Sequence, residues 1–167
     1  LATLTRVAPG GIQAWNEACV FPFPEAASQS FKAGDLVTLS GGKIQAPVAA
    51  GNNLGANDDP VGIALADASG TTNNMLSVYC FIVPTIVRWP VYHGTPASAV
   101  TAYAQIGVSY EVRYQTGAIW CIDVGSTTNT KGKILSIHNQ DPQNPVGTQY
   151  GLVDFIFDPA QCAFPNT

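Results

Sequence analysis

Glycine and proline punctuate this chain too often for it to hold a long helix. Sixteen glycines and twelve prolines are spread through its 167 residues. A proline inside a helix removes a backbone bond and clashes with the preceding turn, at a cost of about 3 kcal/mol. An apolar i, i+3, i+4, i+7 pattern is cut short in almost every window. The Ala-rich stretch 97–105 is the best helical candidate, and it is short.

Between these breaks stand short β-branched and aromatic runs: LVTL, VGIAL, LSVYCFIV, VSYEVRY, AIWCIDV, KILSIHN and GLVDFIF. Such runs, separated by Gly, Asn, Asp, Ser and Thr, predict an all-β fold, a β-barrel or β-sandwich built from hairpins with little helix. In FKAGDLVTLSGGKIQ, a two-residue turn at Gly41-Gly42 sets Ser40 opposite Lys43, Leu39 opposite Ile44 and Val37 opposite Ala46. One face is then apolar, and Thr38, Ser40, Lys43 and Gln45 fall on an expected wet face. The same stretch is not a phosphate loop. It lacks the Gly-Lys-Ser/Thr ending, since Ile44 follows Lys43, and no helix N-terminus follows to converge on an anion.

A second hairpin is expected in VSYEVRYQTGAIWCID, with Thr116-Gly117 as its turn. That register sets Tyr114 opposite Ile119, Val112 opposite Cys121, and Arg113 opposite Trp120 as a cation-π pair. Each hairpin is followed by a polar loop and another strand, with 28 residues from Gly34 to Gly62 and 26 from Gly107 to Lys133. This spacing suggests two sheets built alike. Residues 1–29 carry no sustained alternation and read as an extended N-terminal arm before a β domain at 30–167. Trp15, Phe21 and Phe23 would be costly if left exposed, so the arm packs on a partner or on its own domain. Trimming residues 1–29 is expected to leave the β fold intact.

Charge excludes two classes of partner. Arg6, Lys32, Lys43, Arg88, Arg113, Lys131 and Lys133 are scattered, and the net charge is −4, so there is no cationic patch for nucleic acid. No apolar run approaches the roughly 20 residues that span a bilayer, and no basic amphipathic helix is present, so no membrane role is expected. A start at Leu1 is compatible with a removed leader or with omitted leading residues. Cys19, Cys80, Cys121 and Cys162 stand about 40 residues apart with no C-x-x-C pair, which allows two disulfides or four buried thiols.

Catalytic and metal signals are weak. His93 in VYHGTP reads as a turn residue and His138 in SIHNQD as a strand end, and no G-x-S-x-G elbow is present. The segment GNNLGANDDP offers Asn52, Asn53, Asn57, Asp58 and Asp59 as oxygen ligands but lacks EF-hand spacing, so it reads as a turn-rich loop. No catalytic residue, cofactor or metal site is assigned, and no enzyme activity is expected.

Taken together, KAGDLVTLSGGKIQAP, DPVGIALADAS, IGVSYEVRYQTGAIWCIDVGSTTNTKGKILSIHNQD and YGLVDFIFDP resemble the head decoration proteins of tailed bacteriophages, also called capsid cement or auxiliary proteins. The resemblance covers roughly residues 30–158 and rests on order and texture. It implies a β-rich structural protein of the virion, made in the host cytoplasm and bound to the exterior of an icosahedral shell. Its partner would be the major capsid protein, and it would act as a homo-oligomer, with a trimer favoured. In such proteins the N-terminal segment often orders on the capsid, for instance by adding a strand to a neighbour's sheet. The candidate interface residues are Arg6, Trp15, Phe21 and Phe23. An alternative reading is a secreted carbohydrate-binding β-sandwich, with Trp89, Trp120 and Tyr92 stacking on sugar rings.

Overall fold

The computed structural model describes residues 11–13, 16–115, 119–138 and 146–164. Their strands are β1 Val20–Pro24, β2 Leu36–Ser40, β3 Lys43–Gln45, β4 Asn52–Asn53, β5 Pro60–Ala64, β6 Met75–Cys80, β7 Ile86–Tyr92, β8 Ser109–Gln115, β9 Ile119–Asp123, β10 Gly132–His138 and β11 Leu152–Phe157. They form two sheets in a sandwich-like fold, ordered β1-β6-β5-β2-β3 and β10-β11-β7-β9-β8-β4. The fold is all-β, as expected. The helical candidate at 97–105 yields two separate 3-10 turns, Pro96–Ser98 and Tyr103–Gln105, because β-branched Val100 and Thr101 come between them.

The first hairpin has the register read from its glycines. Thr38, Leu39 and Ser40 pair with Gln45, Ile44 and Lys43, and the turn holds Gly41 and Gly42 at φ 55° and 77°. Its polar face is less wet than expected. Thr38 is buried, and Leu36 on the same face enters the core, because β2 is flanked by β5 as well as β3 and packs towards the second sheet. The second hairpin departs by one residue. Tyr114 faces Trp120, and Arg113 faces Cys121, so three residues rather than two separate Gln115 from Ile119. Tyr114 therefore stacks on Trp120 at 4.7 Å, while the Arg113 guanidinium lies over the Tyr92 ring at the same distance.

The expected likeness of the two sheets extends to single hydrogen bonds. In each half a hairpin's first strand also pairs with the strand after the hairpin: β2 with β3 and β5, β8 with β9 and β10. That strand pairs with the next, β5 with β6 and β10 with β11, which then pairs with the strand opening the half, β1 or β7. A parallel contact closes each circuit, Glu25 with Ile44 in the first and Val91 with Ile122 in the second. The halves correspond in register: Gly62 pairs with Cys80 as Gly132 pairs with Phe157. A Cβ on Gly62 would lie 2.0 Å from the Tyr79 carbonyl oxygen, and one on Gly132 would lie 2.0 Å from that of Ile156. Gly34 donates to Ala64 at 2.7 Å, and Gly107 donates to Ile134 at 2.8 Å. The chain is thus two copies of one five-strand pattern, with β4 added at the edge of β8.

Two apolar clusters hold the pattern together. The larger is shared by both sheets, joining Leu36, Ile63 and Tyr79 to Trp89, Trp120, Phe155 and Phe157. The smaller covers the other face of the first sheet with Val37, Ile44, Val61, Val78 and Cys80 under Phe31. Of the two placements open to the N-terminal segment, the described part packs on its own domain. Ile12 bridges Val87, β1 pairs along its length with β6, and both Cys19 and Glu25 are buried.

Candidate functional site

Alternation along VFPFP sends Phe21 and Phe23 to one face of β1, beside their cross-strand partners Val78 and Leu76. With Pro22, Cys80, Ile82 and Phe164 they line an apolar groove of about 290 Å³. Phe164 stacks on Phe23 with ring centroids 6.3 Å apart. Phe21 remains 42% exposed and Phe164 39%, unusual for aromatic side chains meeting at one groove. The structure therefore brings together two of the expected interface residues, while Arg6 and Trp15 lie outside the described residues.

Internal duplication shows why this groove is open. Against β11, Arg88 and Trp89 hold the places that Pro22 and Phe23 hold against β6. In the second half the chain itself covers that edge. Arg88 donates its N–H to the Gly11 carbonyl at 2.7 Å, Gln13 donates to Ile86 at 2.9 Å, and Gly11 lies against the Trp89 ring. In the first half Pro22 replaces Arg88 and has no N–H to give. The free side of β1 is thereby closed to an added strand, and its apolar face stays open to side chains. A second exposed apolar group, Tyr103, Ile106, Val108 and Leu135, surrounds the contact of Gly107 with Ile134.

A deeper cavity of about 390 Å³ lies where the two halves meet. Phe31, Asp35 and Leu36, the segment 46–50, and Tyr114 with Trp120 line it. Asp35 is 2% exposed and accepts from the Trp120 indole N–H at 3.1 Å and the Lys32 backbone N–H at 2.7 Å.

Several other polar groups brace strands and loops. Glu111 and Asp123 stand opposite each other on β8 and β9, and the Asn53 amide donates to both. Burial pushes the Glu111 carboxyl up, but donors from Asn129, Asn53, Ser126 and Thr128 outweigh it and hold the carboxyl below its ordinary range. Arg113 completes the brace by donating to Asn53 at 2.8 Å and to the Gly51 carbonyl. Asp58 accepts from Gly55 N–H in its own loop, and Asp59 pairs with buried Lys131 at 3.3 Å, so the oxygens of GNNLGANDDP turn to different partners. Among the described residues no three His, Cys, Asp or Glu side chains gather as a metal site.

His93 accepts the Thr95 N–H at 2.9 Å within a turn. His138 ends β10 opposite Leu152, with Asp154 nearby on β11. Ser136 donates to that carboxylate at 3.0 Å and Arg88 donates at 2.7 Å, and these donors, with the charges of Arg88 and His138, outweigh burial and hold the Asp154 carboxyl below its ordinary range. The four cysteines are free and buried. Burial pushes the thiols of Cys80 and Cys162 up to about 12, far from the reactive thiolate. Trp89 and Trp120 are 2% and 5% exposed, and Arg113 covers Tyr92, so this trio forms no platform for sugar rings.

Sequence reasoning had not joined Ile82 and Phe164 to the groove, or Tyr114 to the cavity. Phe164 carried the same signal as Phe21, an aromatic beside proline near a chain end. Comparison with family models, curated proteins and solved structures finds no match to this chain.

Proposed function

We propose that this protein is a structural component of a virion, bound to the outside of an icosahedral phage shell, where it stabilises contacts between capsomers. The observation that carries the reading is the open groove of Phe21, Phe23, Ile82 and Phe164, which offers apolar area where its counterpart in the second half is covered. Docking would use side-chain burial, because Pro22 denies β1 the donor that strand addition requires. Binding by surface burial needs no cofactor, and symmetric copies make modest affinity per site sufficient. The partner would be the major capsid protein. The second exposed set around Tyr103 and Leu135 is suited to self-association, and the resemblance to decoration proteins favours a trimer at three-fold points.

The test is co-sedimentation and cryo-electron microscopy with purified tailed-phage shells stripped of decoration. The wild type should sediment with a shell and add density on its exterior. Phe21→Asp combined with Phe164→Asp should weaken binding by about a hundredfold, since replacing two groove aromatics with carboxylates costs about 3 kcal/mol. Binding to no shell, or binding indifferent to the double change, would remove the proposal.

A further inference from the structure

We infer that the groove of Phe21, Phe23 and Phe164 seats one aromatic side chain projecting from the protein it docks on, an inference that rests on the docking role proposed above. Internal duplication supplies the template. By register, Val87, Trp89 and Phe157 of the second half hold the places of Phe21, Phe23 and Cys80 in the first. In the second half this site is closed, with Val87, Trp89 and Phe157 no more than 2% exposed. Two further rings close it. Trp120 stacks on Trp89 with centroids 6.3 Å apart at an interplanar angle of 27°. Phe81, reaching across from the end of β6 in the first half, stacks on Phe157 at 4.4 Å and 29°.

The first half repeats the first of these contacts and not the second. Phe164 stacks on Phe23 at the same 6.3 Å and 27°, so it stands to Phe23 as Trp120 stands to Trp89. Where Phe157 meets Phe81, the groove has the much smaller Cys80, and the rings among the described residues that line it are Phe21, Phe23 and Phe164 alone. Phe21 is larger than its counterpart Val87, yet it stays 42% exposed and does not close the site. The place of Phe81 is therefore the one a partner's ring would take, packing offset or edge-on against the groove aromatics. A second copy is not suited to supply it. Asp158 follows Phe157 as Phe81 follows Cys80, so a copy that repeated the contact between the halves would bring a carboxylate to an apolar lining. The occupant is an aromatic residue of a different protein.

Saturation-transfer NMR and calorimetric titrations of the intact chain with the N-acetyl amides of phenylalanine, tryptophan and leucine test the assignment. At least one aromatic amide should bind saturably in about the millimolar range, and the leucine amide about fivefold more weakly, the factor that one aromatic contact corresponds to. Phe164→Ala removes an exposed ring near the end of the chain and should weaken the aromatic amide by a similar factor. On a shell that the protein binds, the aromatic amide should compete for the groove and the leucine amide should compete less. No saturable binding of either aromatic amide, equal binding of all three, aromatic binding unchanged by Phe164→Ala, or self-association of the wild type that Phe164→Ala abolishes would overturn the inference. Aromatic binding by a protein that sediments with no shell would remove the docking proposal and sustain the ring site.

Discussion

Glu25 shows how one buried charge can be made useful to the fold. Its side chain is fully buried, yet one oxygen accepts from Gly70 N–H at 2.6 Å and the other from Ser69 N–H and Oγ at 3.0 and 2.7 Å. Burial alone would raise its carboxyl, but the Ser69, Gly70 and Asn74 donors outweigh it, and the folded-state value lies below the ordinary one. A lowered folded value gives stability that is fully present above the unfolded value, near 4.3, and is lost as pH falls through the folded value. Urea midpoints should therefore hold from pH 7 to 5 and fall below about pH 4 in the wild type, with the fall blunted in Glu25→Gln. Glu25→Ala leaves two backbone donors without their acceptor and should cost about 2 kcal/mol or more at pH 7. A second residue-scale prediction comes from the paired glycines. Gly62→Ala and Gly132→Ala each drive a Cβ to 2.0 Å from a backbone oxygen, so each should lower stability by about 3 kcal/mol or more in chemical denaturation. Gly41→Ala meets no neighbour and should cost clearly less, through its positive φ alone.

Element-scale evidence revises the N-terminal segment. β1 pairs residue by residue with β6, with Cys19 and Glu25 buried at its ends, so removing residues 1–29 takes a strand out of the first sheet. That deletion, expected from sequence to leave the fold intact, should instead give an insoluble or molten product that lacks the native near-UV circular dichroism spectrum. The strands themselves were legible where alternation and glycine turns agreed, as in LVTLSGGKIQ, whose register is the one its turn demands. They were illegible where proline intervened. VFPFP fell in a stretch without sustained alternation and IVRWPVY was not among the strand runs, yet Pro22, Pro24 and Pro90 are tolerated because their nitrogens face away from β6 and β11. Register was also lost where a two-residue and a three-residue connection share one sequence. Thr116-Gly117 looks like a turn by itself, and one extra residue moves Trp120 from Arg113 to Tyr114. The candidate groove was half legible: Phe21 and Phe23 stood out as costly aromatics, while Ile82 and Phe164 join them only through tertiary folding.

At the scale of the whole molecule, duplication sets both stability and access. The halves share one strand pattern but unequal cores, since Leu36, Ile63 and Tyr79 of the first pack into the cluster dominated by the second. Neither half can hide its apolar surface alone, so the molecule should unfold in one step. Urea denaturation of a Trp15→Phe variant, whose remaining Trp89 and Trp120 both lie in the second half, should give a fluorescence transition that coincides with far-UV circular dichroism of the whole molecule. Residues 16–83 expressed alone should be aggregated or molten, because that fragment exposes Leu36, Ile63 and Tyr79 together. The thiols provide an independent readout of the same cooperativity. Cys19 and Cys80 come from the first half and Cys121 and Cys162 from the second, and all are buried and free. In a chain that opens only globally, all four should resist alkylation at pH 8 in native buffer and react at one common rate as urea approaches the midpoint. Early reaction of Cys19 and Cys80, with Cys121 and Cys162 still protected, would show that the first circuit opens on its own and that the shared core does not bind the halves into one unit.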